Sequence, residues 1–376
     1  KLYFDQVAQN IETENAKGKL YGSETAFALN GWVPLPEVQT LETILNRHVC
    51  AYELTDPAEG DIVPVKFRNN KLTEPFNMVT EIFSYPRYTS LDPNPLIMPF
   101  YIIFFGIMFN DFGYGLILII ASLIVRHKMP RLRGTLKYMT GLMLMCGITT
   151  CAAGLITGSF FGNSADIIGG FVGRKIKIYP LFNPMTNVTT MLIASLGIGV
   201  IHILFGMGVK AYLLIRGGKP LDALMDVGSW WLLFAGIALG AFGITWFAAI
   251  AGVIALVFTQ GRKSPTSLGK ILGGFASLFK VILYFGDVLS YLRLMAIMLT
   301  CGVMAQAINT FGAIPGPTVF IPVFVVGHLL NIGINLIFAY VHAARLQYPE
   351  FFGRFCENGG KPFRPLSIKT NYVDID

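Results

Sequence analysis

The stretch GDVLSYLRLMAIMLTCGVMAQ at positions 286–306 decides the fold, because it places Arg293 in the middle of an apolar run that extends over 272–310. As a single helix this run would be about 58 Å long at 1.5 Å per residue. The hydrocarbon core of a bilayer is about 30 Å thick, so the helix must tilt, bend or project from a membrane. An arginine at mid-span costs about 2.5–3.5 kcal/mol even on the lenient insertion scale, so Arg293 is a candidate functional residue.

Other apolar runs repeat along the chain at the length that a membrane span requires, which is about 20 residues. The composition agrees, with 53% hydrophobic and only 14% charged residues and a mean hydropathy of +0.58. An average soluble domain has about 25% charged residues, so an ordinary water-soluble globule is excluded. The further runs lie near residues 96–125, 138–160, 187–215, 225–243, 244–260 and 319–345.

Charge divides the chain into a polar head and a basic body. Residues 1–90 hold 12 acidic and 8 basic side chains, whereas the other 286 residues hold 10 acidic and 21 basic ones. The basic side chains of the body lie in short loops between apolar runs, as in multi-span membrane proteins. The total charge of +7 therefore predicts contact with membrane lipid and no nucleic-acid partner.

The head has the pattern of a small α/β lobe. Residues 1–24 are polar and compatible with a helix, Thr25–Val33 and His48–Leu54 are predicted strands, and Pro34–Arg47 is a predicted helix. No G-x-x-x-x-G-K-[ST] motif occurs, which argues against that type of nucleotide site. We interpret the lobe as a rigid protein-binding arm, and the polar start of the sequence predicts that further arm residues precede it.

Loop charges predict the topology, since Lys and Arg accumulate on the cytoplasmic side. Five basic residues lie in 126–137, whereas the segment 311–318 has none. If the head and the 126–137 loop are both cytoplasmic, the first run must cross twice, with a break at Asn110–Gly115. This gives eight spans with both termini in the cytoplasm. A single tilted first span, with the head on the opposite side, is the alternative.

Polar side chains accompany the last two runs. Ser290 lies one turn before Arg293, and Arg345 lies near the cytoplasmic end of the final run, where it could also reach the headgroups. Asp287 is the acid nearest to Arg293 along the chain, but six residues turn a helix by about 120° from its starting face, so an ion pair is not predicted. Three further polar residues fall within about 80° of Arg345 on a helical wheel: Asn331, Asn335 and His342.

Histidine, cysteine and glycine positions are interpreted as structural. His202 and His328 are lone imidazoles in apolar runs, which favours hydrogen-bonded packing residues. The five cysteines are scattered, so we predict no disulfide framework, metal site or cofactor. Glycines in the middle runs indicate close helix packing: Gly197, Gly199, Gly206, Gly208, Gly236, Gly240 and Gly243.

Four motifs give the chain a resemblance to a known family. They are GWVP at 31–34, DPNPLIMPFYIIFFGIMFNDFGYG at 92–115, GDVLSYLRL at 286–294 and VHAARLQYPEFFGRF at 341–355. In these motifs the chain resembles the membrane subunit of V-type and A-type rotary ATPases, called subunit a in eukaryotes and subunit I in prokaryotes. The resemblance implies a mainly α-helical, polytopic membrane domain of about eight spans, the last two long and tilted. It divides the chain into the end of a cytoplasmic arm (1–90), an ion-translocation domain (91–355) and a cytoplasmic tail (356–376).

The resemblance also implies a function. Arg293 matches the indispensable arginine of the family and Arg345 its second arginine, in a stator subunit that forms half-channels for H⁺ or Na⁺ and couples ion flow to rotation. ATP chemistry would belong to other subunits. The implied partners are a proteolipid ring, the peripheral stalk, the soluble ATPase subunits and a central-stalk subunit. Candidate half-channel lining residues are Asp287, Ser290, Asn331, Asn335 and His342.

The family pattern is not matched everywhere. Asn335 and Cys301 stand where eukaryotic members have an acid and a histidine. Short loops resemble the prokaryotic form, which predicts a prokaryotic cytoplasmic membrane. Two other functions stay open. An independent secondary transporter predicts internal repeats with broken helices in both halves, yet only the first run is broken. A purely structural membrane anchor would give Arg293 no function.

Overall fold

The computed structural model describes most of the chain, which folds into two compact units. The head unit comprises residues 1–68, 84–91 and 357–376, and the membrane unit comprises 69–83 and 92–356. The described residues are 2–18, 20–22, 26–48, 50–58, 60–88, 90–129, 134–173, 180–241, 243–263, 266–356 and 359–365.

The head unit begins with helix α1 (Leu2–Lys17). Strands β1 (Tyr21–Gly22) and β2 (Phe27–Ala28) pair antiparallel, with Tyr21 opposite Ala28. A 3₁₀ turn at Leu35–Glu37, with Pro34 as its N-cap, leads into α2 (Val38–Leu45). Proline favours a helix start because its fixed φ suits the first turn. The helix predicted at Pro34–Arg47 is therefore present.

The strand predictions for the head are only partly correct. The predicted strand at 25–33 shortens to β2, and Thr25 lies outside the described residues. The predicted strand at 48–54 is wrong, because residues 48 and 50–54 form no strand; Val49 is outside the described residues. Strand propensity needs a packed surface to act on, and most side chains from 50 to 58 are exposed.

A second small sheet brings distant parts of the head unit together. Strand β3 (Pro64–Val65) pairs in parallel with β4 (Lys361–Pro362). Phe363 N donates to Val65 O at 3.0 Å, and Gly360 N donates to Tyr85 O at 3.0 Å. Residues that follow the last apolar run are thus part of the head unit.

The membrane unit is mainly helical in its described residues, with non-helical segments such as 158–163 and 180–187 between the helices. It starts with α3 (Asn77–Phe83), and α4 and α5 meet at Asn110–Asp111. Two π-helical segments, Leu224–Gly228 and Tyr348–Phe352, interrupt later helices. The remaining helices are α4 (Asn94–Phe109), α5 (Phe112–Lys128), α6 (Thr135–Thr157), α7 (Ser164–Val172), α8 (Val188–Arg216), α9 (Pro220–Ala223), α10 (Ser229–Ala241), α11 (Phe247–Gln260), α12 (Ser267–Ser290), α13 (Leu292–Ala313), α14 (Pro317–Gln347) and α15 (Gly353–Phe355).

Within the described residues, five helical stretches are long and apolar enough to cross a membrane, and α4 and α11 are shorter apolar helices. The two longest stretches are the last two, with 42 residues over Leu272–Ala313 and 39 over Pro317–Phe355. The former comprises α12 from Leu272 onward and α13, which meet at Tyr291. Tyr291 keeps a helical backbone (φ −75°, ψ −11°), so the two helices follow each other almost without interruption.

The break predicted in the first apolar run lies at Asn110–Asp111. Asp111 caps α5 by accepting a hydrogen bond from Tyr114 N at 3.2 Å. The same carboxylate accepts from Ser159 Oγ at 2.7 Å and from Gly162 N at 2.8 Å. A buried carboxylate is stable only when such donors surround it. Asp111 therefore fixes the turn between α4 and α5 against the end of α6.

Interactions inside the membrane unit define two opposite ends. At one end Lys137 Nζ pairs with Glu74 at 2.8 Å, and Tyr348 OH donates to Val79 O at 2.8 Å. At the other end the Asp111 turn bonds to the 159–162 loop. We call these the Glu74 end and the Asp111 end. Helices α4, α5, α6 and α14 run between them.

The core of the membrane unit is centred on α4. Its aromatic residues Tyr101, Phe104, Phe105 and Phe109 are fully buried. The Tyr101 hydroxyl donates to Tyr340 O of α14 at 3.3 Å. The Phe104 ring lies 5.8 Å from the Tyr291 ring, measured between centroids. This helix therefore supports the elements that carry the predicted site.

Candidate functional site

Arg293 lies in the first turn of α13, directly after the Tyr291 junction, and is half-buried. Its Nη1 is fully buried and has no hydrogen-bond partner among the described residues. Arg345 and Glu350 lie close enough for their charges to act on the guanidinium. Within the described part of the chain, no carboxylate forms an ion pair with Arg293.

Arg345 and His342 are the predicted residues that the structure brings to Arg293. His342 lies one turn before Arg345 on α14, and the charges of both arginines act on it. Its buried Nδ1 has no partner among the described side chains and backbone groups. Arg345 itself is exposed. The result is a cluster of positive charge between α13 and the last turns of α14.

Asp287 and Ser290 lie before the Tyr291 junction, on α12. Asp287 forms an ion pair with Arg354 of α15, whose guanidinium lies 4.1 Å from the centre of the Tyr284 ring. The helical-wheel expectation that Asp287 does not pair with Arg293 is confirmed. Ser290 Oγ donates to Gly286 O at 3.2 Å and lies beside Glu350.

Asn331 and Asn335 belong to a separate, buried network. Asn335 Nδ2 donates to Asn331 Oδ1 at 2.5 Å, and Asn331 Nδ2 donates to the Tyr114 hydroxyl at 2.7 Å. Both asparagines are at most 3% exposed. They join α14 to α5 instead of lying beside Arg345, which is exposed on the same helix.

The network extends to the Asp111 end. The Tyr114 hydroxyl lies 2.6 Å from His328 Nδ1, and His328 Nε2 lies 2.9 Å from Asn309 Oδ1. Asn309 Nδ2 donates to Asn163 Oδ1 at 3.2 Å. His328 is thus a hydrogen-bonded packing residue, as the sequence predicts, and so is His202, whose Nδ1 lies 2.6 Å from the Tyr291 hydroxyl.

A polar cavity of about 170 Å³ lies at the Asp111 end, where α13 meets the loops after α6 and α7. Asn163, the last member of the network, is among its lining residues. Met298, Gly302 and Gln306 contribute one face of α13. Its other polar lining residues include Asn110, Thr157, Ser159, Asp166 and Asn183.

Sequence reasoning missed Gln347 and Glu350. Both are buried, at 0% and 3% exposure. The apolar character of the chain does not stop at Arg345, because Leu346, Phe351 and Phe352 continue it. That continuation is the signal that would have placed these polar residues in apolar surroundings. No group of three or more potential metal ligands occurs in the described ranges.

Comparisons with known proteins identify related sequences. Residues 17–172 match the V-type ATPase 116 kDa subunit family. The chain is 33% identical over its full length to the A-type ATP synthase subunit I of Thermococcus kodakarensis, of which it covers 60%. It is 29% identical over 98% of its length to that of Methanocaldococcus jannaschii, covering 59%. The V-type ATP synthase subunit I of Chlamydia pneumoniae is 24% identical over 90% of the chain, which covers 60% of it.

The chain thus spans about 60% of the length of the curated relatives that it matches. The similarity extends over nearly all of the chain and therefore includes the motifs at both ends of the sequence. The chain also contains the long apolar helices described above. The chain is similar over nearly its whole length to subunit I of A-type and V-type ATP synthases, and its residues 17–172 match the V-type ATPase 116 kDa subunit family.

Proposed function

We propose that this chain is the membrane stator part of a rotary ATPase and conducts H⁺ or Na⁺ past a ring of proteolipid subunits. The observation that carries the proposal is Arg293. It lies in a 42-residue apolar helical stretch, and its buried Nη1 has no partner among the described residues. An arginine in such surroundings requires an anion, and a carboxylate on a neighbouring subunit would supply it.

The proposed topology has eight spans and both termini in the cytoplasm. The turn at Asn110–Asp111 supports two short passes for α4 and α5, because it packs against the end of α6. The Glu74 end would face the cytoplasm, since it adjoins the basic loop that precedes α6. The Asp111 end would face the opposite side. This topology fits a prokaryotic cytoplasmic membrane.

The chemistry follows from the cost of charge in lipid. A ring carboxylate can turn through hydrocarbon only when a proton or Na⁺ neutralises it. Beside Arg293 the ionised carboxylate is stabilised, so it releases its ion. Arginine suits this task because it stays charged and its planar fork can meet a carboxylate. The fixed positive charge also opposes direct leakage of cations between the two sides.

Two aqueous half-channels would connect the site to the two membrane faces. Polar groups support one path from the Asp111 end, where the cavity adjoins Asn163 and the buried network of Asn331 and Asn335. His342 and Ser290 lie near Arg293, and Asp287 lies towards the Glu74 end. Arg345 would add to the barrier against cations. ATP hydrolysis or synthesis would take place in the soluble subunits, to which the arm and stalks connect this chain.

Replacing Arg293 tests the function. In the purified, reconstituted assembly, Arg293→Ala should abolish ATP-driven ion transport, because the ring carboxylate loses the charge that ejects its ion. Transport is followed by a pH-sensitive dye for H⁺ and by ²²Na⁺ uptake for Na⁺. Arg216→Ala, at an exposed position on α8, is the matched control and should pump like the parent.

Subunit composition is checked in both variants. Intact assembly with lost pumping supports the stator function. Unchanged pumping by Arg293→Ala would exclude it. Ion transport by the isolated chain without other subunits would instead favour an independent transporter.

A further inference from the structure

Helix α5 ends in three successive basic side chains at the Glu74 end of the membrane unit. Arg126, His127 and Lys128 occupy its last turn, and all three are exposed. Within the described part of the chain, none of them forms an ion pair. Cations at a helix C-terminus are favoured by the helix dipole, so their surroundings must decide whether they also bind a ligand. We call these three residues the Arg126 patch.

Arg126 lies against helix α6 at a glycine. A Cβ on Gly141 would lie 3.0 Å from Arg126 Nη2 and 2.6 Å from Pro75 Cγ. The guanidinium therefore lies over the glycine backbone and next to the proline ring. Any larger residue at position 141 would compete for this space. The missing side chain of Gly141 thus gives the Arg126 head group a defined place on the surface of α6.

A carboxylate next to Pro75 in the chain is already neutralised. Glu74 pairs with Lys137 Nζ of α6 at 2.8 Å. Lys137 is four residues before Gly141, so both lie on the same face of α6. Because Glu74 is paired in this way, the positive charges of the Arg126 patch are available for an external anion.

An apolar surface leads along α5 to the patch. Ile117 and Ile124 lie within about 40° of Lys128 on a helical wheel, and they are 40% and 49% exposed. From Ile117 to Lys128 the helix rises about 17 Å at 1.5 Å per residue. Half of the hydrocarbon core of a bilayer is about 15 Å thick, so this face has the length of one lipid leaflet. Its exposed apolar residues are Leu116, Ile117, Ile120, Leu123 and Ile124.

The combination of apolar face and cations selects one class of ligand. It is complementary to a lipid that has acyl chains and a negatively charged headgroup. The planar guanidinium of Arg126 can donate two parallel hydrogen bonds to a phosphate, and Lys128 adds a second positive charge. A soluble anion would leave the apolar face unused, and a zwitterionic lipid carries no net charge to match the patch.

We propose that the Arg126 patch binds the phosphate of an anionic phospholipid, whose acyl chains lie along the exposed apolar face of α5. The lipid would connect the adjoining ends of α5 and α6, because Arg126 belongs to α5 and lies on α6. The inference goes beyond the proposed function. It requires the membrane unit to lie in a bilayer, but it does not depend on any role of Arg293.

The first experiment measures lipid binding to the purified full chain, delipidated in a neutral detergent. Phosphatidylglycerol or phosphatidylcholine is titrated in, and bound lipid is counted by native mass spectrometry. The parent should bind phosphatidylglycerol saturably and more tightly than phosphatidylcholine, and inorganic phosphate should not displace it. Arg126→Gln should weaken the binding of phosphatidylglycerol by about fivefold or more, as expected for one basic residue at an anionic lipid surface.

Arg216→Gln is the matched control for charge. Arg216 is also an exposed basic residue in the last turn of a long apolar helix, α8. Its replacement changes the net charge of the chain as Arg126→Gln does, but leaves the Arg126 patch intact. This variant should bind phosphatidylglycerol like the parent.

The second experiment moves Arg126 without changing any charge. Gly141→Ala fills the space beneath the guanidinium and should also weaken the binding of phosphatidylglycerol. Gly197→Ala, where a Cβ would meet nothing within 4 Å, is its control and should bind like the parent. The thermal unfolding midpoint of each variant without lipid shows whether it is folded. If Gly141→Ala does not fold, Arg126→Gln decides, because its position is exposed.

Equal affinity for the two lipids would overturn the inference, and so would parent-like binding by Arg126→Gln or by folded Gly141→Ala. An equal loss in Arg126→Gln and Arg216→Gln would show attraction to net charge alone and would overturn it as well. None of these readouts uses ion transport, so the outcome is independent of the Arg293 test.

Discussion

An arginine that forms no ion pair with a described carboxylate is the central feature at the scale of single residues, and the charge of Glu350 acts on it only from a distance beyond that of an ion pair. Asp287, the acid nearest to Arg293 in sequence, is occupied by Arg354. Arg345 adds a second positive charge nearby instead of neutralising the first. A protein that merely needed a stable core would gain by replacing such a residue with an apolar one. The proposed function explains this arrangement, because a carboxylate of another subunit would supply the negative charge that pairs with Arg293.

Other buried polar residues of the membrane unit have hydrogen-bond partners within it. Tyr114 is fully buried, and its hydroxyl hydrogen-bonds His328 Nδ1 at 2.6 Å and Asn331 Nδ2 at 2.7 Å. These bonds tie α5 to α14. We therefore expect Tyr114 to matter for stability, in contrast to Arg293.

Tyr114→Phe tests this difference. The substitution leaves the buried His328 Nδ1 without its partner, at a cost of about 1–3 kcal/mol, and leaves Asn331 Nδ2 only its 3.5 Å hydrogen bond to Cys301 O. The thermal unfolding midpoint of the purified chain in detergent, followed by intrinsic fluorescence, should fall. Tyr212→Phe, at a side chain that is 57% exposed, should leave the midpoint unchanged. Equal midpoints for both variants would show that the network does not stabilise the helices.

At the scale of helices, close approach is concentrated at particular glycines. A Cβ on Gly236 of α10 would clash with the backbone nitrogen of Ala249 in α11, which cannot move aside as a side chain could. A Cβ on Gly197 of α8 would meet nothing within 4 Å. The sequence predicts close packing at Gly197, Gly236 and Gly243. For Gly197 and Gly243 this prediction is wrong, since a Cβ on either would meet nothing within 4 Å.

Gly236→Ala and Gly197→Ala form a matched pair. Overpacking typically costs about 1–3 kcal/mol, so Gly236→Ala should lower the unfolding midpoint. Alanine favours helices over glycine by about 1 kcal/mol, so Gly197→Ala should be neutral or slightly stabilising. The measurement is again the midpoint in detergent. A fall of equal size in both variants would contradict the packing of α10 against α11.

The sequence predicts well the elements whose length and apolar composition suit a bilayer. Long apolar runs predict the helices. The Asn110–Asp111 pair interrupts the first run and so predicts the break between α4 and α5. The buried Asp111 carboxylate needs hydrogen-bond donors, which this turn and the 159–162 loop supply. The short strands of the head are poorly predicted, since little packing fixes them. Asp287 and Arg354 are 67 residues apart in sequence, so periodicity within one helix cannot reveal their pairing.

The sequence also predicts the candidate site only in part. Arg293, Arg345 and His342 are conspicuous because polar residues are rare in an apolar run. The helical wheel assigns Asn331 and Asn335 to the same polar stripe, but in the structure Asn331 bonds to Tyr114 of α5 and Asn335 to Asn331. The burial of Glu350 depends on how α8 and the Tyr291 junction pack around the end of α14, which no pattern within one helix encodes.

At the scale of the whole molecule, the membrane unit presents large apolar surfaces. Phe279 and Leu283 of α12 are 72% and 67% exposed, and Leu329 and Ile337 of α14 are 68% and 62% exposed. Apolar surfaces of this size require lipid or another subunit as a neighbour. The exposed apolar surfaces and the basic body support the proposal that this unit lies in a membrane.

The most direct test of the proposed function is a cross-link to the ring. Leu289 is 40% exposed and lies one helical turn before Arg293. In an assembly without native cysteines in this chain, Leu289→Cys is combined with a ring cysteine one turn from the ring carboxylate. Mild oxidation should form a disulfide and stop ATP-driven rotation, and a reductant should restore it. Ile254→Cys of α11, at 52% exposure, should give no ring adduct. A missing adduct at position 289, or an equal yield at position 254, would contradict the claim that Arg293 faces a moving ring.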